Sequence, residues 1–196
     1  MLNDADDPMD ALLESEAAAE AADVMRPVLA AAENGDVVAF AQALTACGKD
    51  IDTPGEDNDT ALHIACLYGQ TAIVQVCINR GACVTARDED NSTPLHDACA
   101  GGHYDISKLL LSKGADPAAV DTDGDSPLHL ASNGGHAHVA SLILTHLSDE
   151  QRAAILGLPN AEGMRPSDLA EDPALVAQLK LSDDEPDAGS AYKRKK

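Results

Sequence analysis

The stretch Thr93-Pro-Leu-His-Asp-Ala98 decides how this chain folds, because it recurs. Thr60-Ala-Leu-His-Ile-Ala65 lies 33 residues before it, and Ser126-Pro-Leu-His-Leu-Ala131 lies 33 residues after it. Self-similarity at a fixed period marks an array of small stacked units. Each copy opens on a hydroxyl residue, Thr60, Thr93 or Ser126, suited to cap a helix N-terminus. Pro94 and Pro127 stand at the first helical position, where a missing N–H is harmless. Gly69, Gly102 and Gly135 each follow nine residues after a start, where a left-handed residue ends a helix of about two turns. Aliphatic clusters come next: Ile73, Val76, Cys77 and Ile78, then Ile106, Leu109, Leu110 and Leu111, then Val139, Leu142, Ile143 and Leu144. Their spacings of three and four draw the apolar face of a second helix, which Gly81 and Gly114 close. Gln75 and Ser107 read as outward positions on these second helices.

A helix pair of this size cannot bury its apolar face alone, so stacking on neighbours supplies the core. Weaker copies flank the three clear ones. Arg-Pro-Val-Leu-Ala-Ala from Arg26 reaches Gly35 at the same offset, followed by Val38, Phe40 and Leu44, and reads as an N-terminal capping repeat. The segment from Asn160 resembles a degenerate last repeat, with Arg165 in place of the capping hydroxyl and Ala174 in place of the glycine. Repeats are expected to start near residues 26, 60, 93, 126 and 165, within a folded region from 26 to 181. Six extra residues precede the fifth start, and Ser148 and Gln151 are spaced as a capping box. They are read as a short additional helix, with a tolerated loop insertion as the plainer alternative.

The period, the Thr-Pro-Leu-His-x-Ala pattern and the connecting segments Gly81-Ala-Cys-Val-Thr-Ala-Arg-Asp88 and Gly114-Ala-Asp-Pro-Ala-Ala-Val-Asp121 together resemble the ankyrin repeat. The resemblance implies an all-α repeat protein, a solenoid of stacked helix-turn-helix pairs joined by hairpin-like loops. It further implies a protein-binding concave face, formed by those loops and by the end of each first helix. Carried onto this sequence, it selects Glu56, Asp57 and Asp59; Glu89, Asp90 and Ser92; Thr122, Asp123 and Asp125; and Glu162 in the last repeat. Leu67 and Tyr68, at the end of one first helix, would add an apolar anchor. Asp88 and Asp121 match a position that is Asp by structural habit in the family and are left outside the binding set. Asn58 and Asn91 stand where Gly124 and Gly163 do, as substitutes for Gly in a left-handed turn. For His63, His96 and His129 the resemblance implies hydrogen bonds within and between repeats.

Composition narrows the partner. The chain of 196 residues has 34 acidic and 13 basic residues and a formal net charge of −21. Residues 1–25 hold eight acids and no base, and the tail from residue 182 ends four acids with Lys193, Arg194, Lys195 and Lys196, which leaves −13 on the array. Such a surface disfavours direct binding of nucleic acid or of an anionic membrane, and no apolar run approaches the roughly 20 residues of a membrane span. Acid-rich Met1–Asp10 does not read as a targeting segment, which points to a cytoplasmic or nuclear protein. Five cysteines without a Cys-x-x-Cys pair read as reduced thiols.

Candidate chemistry is sparse. His63, His96 and His129 occupy equivalent places about 10 Å apart, whereas zinc needs its nitrogens about 2 Å from one centre. Cys66 and Cys99 read as small packing residues. No nucleophile–base arrangement or phosphate-binding loop stands out, so no enzyme activity, cofactor or metal is expected. The expected function is that of a monomeric interaction module whose acidic concave face binds a basic protein, such as a ribosomal protein or a histone-like tail, as an escort, chaperone or scaffold. The alternatives are a regulatory inhibitor or assembly factor docking on an enzyme complex, or an acidic surface that only keeps the protein in solution.

Overall fold

The computed structural model describes residues 24–180; the expectations of a disordered or partly helical acidic segment over residues 1–25 and of an unstructured acidic-then-basic tail over 182–196 fall, apart from residues 24 and 25, outside the described residues. Helix α1 covers residues 24–34, and α2 is Val37–Cys47. A 3-10 turn at Glu56–Asn58 leads into α3 (Ala61–Leu67) and α4 (Thr71–Asn79). Then come α5 (Pro94–Ala100) with α6 (Tyr104–Ser112) and α7 (Pro127–Asn133) with α8 (Ala137–His146). The end of the array is α9 (Asp149–Gly157), α10 (Pro166–Leu169) and α11 (Pro173–Leu179). Among the described residues there is no strand. The first helices α3, α5, α7 and α10 stack as one layer, and α2, α4, α6, α8 and α11 form a second.

Close stacking follows from small side chains. Ala61, Ala65, Cys66, Ala98, Cys99 and Ala131 of the first helices are fully buried, as are Ile73, Ile106, Leu110 and Ile143 of the second ones. Each first helix is started by a reciprocal contact. His63 Nδ1 accepts from Thr60 N (3.2 Å), His96 Nδ1 from Thr93 N (3.1 Å), and His129 Nδ1 from Ser126 N (3.1 Å). In the last of these Ser126 Oγ also accepts from His129 N.

The other ends of the first helices are tied across repeats. Gln70, His103 and His136 are equivalent residues one period apart, and each reaches a carbonyl of the preceding repeat: Glu33 O at 2.8 Å, Leu67 O at 3.0 Å and Ala100 O at 3.1 Å. They satisfy carbonyls that a helix C-terminus leaves without an intrahelical partner. This stitch constrains the glycine beside it twice over, as at Gly102. Gly102 has φ +71°, and a Cβ there would lie 2.5 Å from His136 Nδ1.

Four features depart from or extend the sequence reading. Arg26 lies inside a helix already formed at Val24, because it offers no capping hydroxyl to start one. Ser107 is fully buried rather than outward, since its hydroxyl donates to His103 O (2.9 Å) and sits beside Cys99. The additional residues form α9, where Ser148 N donates to Gln151 Oε1 and Gln151 N to Ser148 Oγ, and Ile155 and Leu156 are buried. In the last repeat Asp168 takes the place of the capping histidine and accepts from Arg165 N (3.0 Å), and α10 is shortened to four residues.

Candidate functional site

The loops that precede the first helices are built alike. Each is closed by a backbone bond from its first to its fifth residue: Gly55 N to Asp59 O, Asp88 N to Ser92 O, Asp121 N to Asp125 O, and Asn160 N to Met164 O. Their turn residues Asn58, Asn91, Gly124 and Gly163 all have φ between 59° and 79°. Asp88 Oδ1 accepts from Ser92 N (2.7 Å), Asp121 Oδ1 from Asp123 N and Asp125 N, and Asn160 Oδ1 from Glu162 N and Met164 N. Those three side chains hold their own hairpins together, which is the physical reason to separate Asp88 and Asp121 from a binding set. Successive tips are joined by further backbone bonds, Glu89 N to Asp57 O (3.0 Å), Thr122 N to Asp90 O (2.9 Å) and Ala161 N to Asp123 O (2.7 Å). The loops therefore form one continuous row.

On that row Asp57, Glu89, Asp90, Thr122, Asp123 and Glu162 are exposed, while Asp59, Ser92 and Asp125 are half-buried. Glu56 belongs to the 3-10 turn. Asp125 is partly engaged, because its Oδ1 accepts from Asn160 Nδ2 at 2.9 Å. Leu67 and Tyr68, 43% and 50% exposed, lie at the far end of α3, about 10 Å along the helix from the loop side.

Two clefts flank the row. A cleft of about 250 Å³ is lined by Arg26, Leu29, Ala30, Glu33, Asp57, Asp59 and Ile64. Another, of about 260 Å³, is lined by Asp123, Asp125, Asn133, Asn160, Ala161, Glu162 and Leu169. The structure thus brings Asp57 and Asp59 together at one end and Asp123, Asp125 and Glu162 at the other.

Crowding of like charge perturbs this face. Burial, and then the negative charges of Asp88, Asp57, Glu89 and Asp90, push the Asp59 carboxyl up to about 6. Asp97 is a residue that the sequence reading passed over. Burial first, then Asp59 and Asp88, hold its proton affinity well above the carboxylate range, and its Oδ2 is sealed from solvent with no hydrogen-bond partner. The signal was available in the aligned copies: the column that carries Ile64, Leu130 and Leu169 carries an acid at 97.

The histidines and cysteines behave differently. Burial lowers the proton affinity of His63, His96 and His129, to about 4 for His96. His129 Nε2 also contacts Leu158 O of the next repeat at 3.0 Å, and the rings of His63 and His96 lie against backbone of the next repeat, at Ala86 and Ser92 and at Asp125 and Ala119, without a well-formed hydrogen bond to Nε2. Of the free cysteines, Cys66, Cys77 and Cys99 are buried, which raises each thiol, to about 12 for Cys77 and Cys99. Among the described residues no group of three His, Cys, Asp or Glu side chains is placed to hold a metal ion, and no helix is long and apolar enough to cross a membrane.

The family model for ankyrin repeats matches three copies over residues 28–121, and a further ankyrin repeat matches residues 123–149. This chain belongs to the ankyrin-repeat family. A search of curated proteins gave no match. Ankyrin repeats are general protein-interaction modules without catalytic machinery of their own. In this ankyrin-repeat protein the helix pair α10 and α11 lies beyond the matched residues, and its first helix has only four residues.

Proposed function

We propose that the protein is a monomeric binding module for a basic protein or basic segment, which it holds along the row of loop tips as an escort, chaperone or scaffold. One observation carries the reading: backbone bonds between successive tips hold the exposed acids Asp57, Glu89, Asp90, Asp123 and Glu162 in one continuous row. Like charges held together by a backbone-bonded row are relieved by a cation, and a field of one sign also speeds encounter with a basic partner. No catalytic step is proposed, and the same acidity argues against direct binding to nucleic acid. Either the cytoplasm or the nucleus would supply such partners.

The test is charge reversal at Asp57, Glu89, Asp90 and Asp123 to Lys. Partners captured from cell extract by the unaltered protein should be basic, and the variant should lose them mainly through slower association. Raising salt should have a similar effect, since the Debye length falls from about 10 Å at 0.1 M to about 3 Å at 1 M. The control carries four Lys substitutions at exposed second-helix positions, Thr71, Gln75, Ser112 and Thr145. The reversal shifts the net charge by twice as much as the control, so a control that loses half as much binding free energy or more would mean that overall charge is responsible, and captured partners that are not basic would overturn the proposal.

A further inference from the structure

We propose that the cleft between α1 and the first loop, together with Asp97 one repeat further on, is a two-point anchor for basic side chains spaced three residues apart in an extended segment of the partner. The inference rests on the proposed function and goes on to locate the contact and the form of its ligand.

The cleft suits a long cationic side chain. Leu29, Ala30 and Ile64 give it apolar walls on which the methylene stem of Lys or Arg can lie, and Asp57, Asp59 and Glu33 supply carboxylates for the charged head. Arg26 lines the cleft as well, so the formal charge of its lining is −2. An acidic surface alone would not make a site. The second observation is Asp97: in a column otherwise filled by Ile64, Leu130 and Leu169 it presents a carboxylate whose Oδ2 is buried and unpartnered, beside Asp59 and Asp88. A buried carboxyl oxygen left without a partner is unfavourable, and a cation that arrives with the ligand would supply that partner and draw the carboxyl into its charged form.

Spacing then restricts the ligand. Asp97 stands one period after Ile64, a wall of the cleft, and stacked helices lie 8–10 Å apart. A polyproline II segment rises about 3.1 Å per residue and returns to the same side every third residue, so side chains at i and i+3 are about 9 Å apart on one face. A β-strand would turn them to opposite faces, because its period is two.

Two capped peptides of identical composition separate the possibilities: acetyl-Pro-Lys-Pro-Pro-Lys-Pro-amide, with a spacing of three, and acetyl-Pro-Lys-Pro-Lys-Pro-Pro-amide, with a spacing of two. Each is titrated into the full-length protein while the methyl resonances of Leu29 and Ile64 are followed. The first should bind at least about fivefold tighter, with saturable shifts at both methyls. Asp97→Asn should abolish that preference, Asp59→Asn should weaken both peptides, and Asp123→Asn, in the other cleft, should leave the preference intact. Retained circular dichroism confirms that each variant is folded. Equal affinity for the two peptides, or equal sensitivity to Asp123→Asn and Asp97→Asn, overturns the anchor while a diffuse acidic surface still binds basic partners. Absence of binding by both peptides overturns it as well, and the charge-reversal experiment then reports separately on whether basic partners are held at all.

Discussion

Replacing Asp97 by Leu should stabilise the fold and weaken the function. The position belongs to a column of Ile64, Leu130 and Leu169, each half-buried, so Leu is the residue that the stack would accept without displacement. What it removes is a carboxylate with a sealed, unpartnered Oδ2 next to Asp59 and Asp88. An unsatisfied buried polar group costs about 1–3 kcal/mol, and an apolar replacement restores part of the contact as well, which gives a gain of about 2 kcal/mol. For a protein of this size each kcal/mol moves Tm by about 2–4 °C, so the expected rise is about 4–8 °C. Asp97→Asn should gain less, because the amide still lacks a partner. The pH dependence supplies the sharper check. A carboxyl whose folded-state proton affinity is raised contributes stability fully below its unfolded value of 3.8 and loses it as pH rises through the folded value. The gap between variant and unaltered protein should therefore be widest near pH 8 and narrow as the solution is acidified. Urea denaturation followed by circular dichroism at several pH values measures it. A variant that is no more stable near pH 8, or a gap that does not change with pH, would show that the carboxylate already has a compensating partner and would refute the reasoning.

The capping histidines act in the opposite direction: burial lowers His96 from 6.5 to about 4, so its stabilisation is present above 6.5 and is lost as pH falls toward 4. At 1.36 kcal/mol per pH unit the loss is roughly 3 kcal/mol, and stability curves of the unaltered protein and of His96→Asn, compared across that interval, should show it as a reduced pH slope in the variant. Gly102→Ala should cost about 3 kcal/mol in denaturant unfolding, because a strained φ is joined by a clash with the His136 ring, whereas Gly81→Ala, at φ +86° with open space around it, should cost about 1 kcal/mol. In an alkylation time course read by mass spectrometry, Cys83 should be labelled in the folded state, and Cys66, Cys77 and Cys99 only after denaturation.

How far the sequence carries depends on which interactions lie inside one repeat. The caps at Thr60, Thr93 and Ser126, the left-handed glycines and the hairpin-closing Asp88 and Asp121 are set by contacts within a few residues, and each is written again every 33 positions, so the copies verify one another. Where a feature is made between repeats, a single copy does not contain it. Gln70 looks unrelated to His103 and His136 as a residue type, and the task the three share, tying the preceding helix end, appears only when the repeats are stacked. Ser107 looks polar enough to face outward, but its hydroxyl is satisfied by the carbonyl four residues earlier, which leaves its small volume free to be buried. The candidate face divides along the same line. The acids Asp57, Glu89, Asp90 and Asp123 could be assigned to loops from their offsets, but the clefts at the two ends of the row depend on α1 and α10, which belong to the repeats whose sequences depart most from the repeated pattern. Asp97 falls between these cases. Its acid in an apolar column is visible in the aligned copies, yet its consequence depends on Asp59 and Asp88 from other segments that pack beside it. A repeat sequence thus encodes its backbone locally and redundantly. Its electrostatics are non-local, because a charge gains meaning only from the neighbours that stacking supplies.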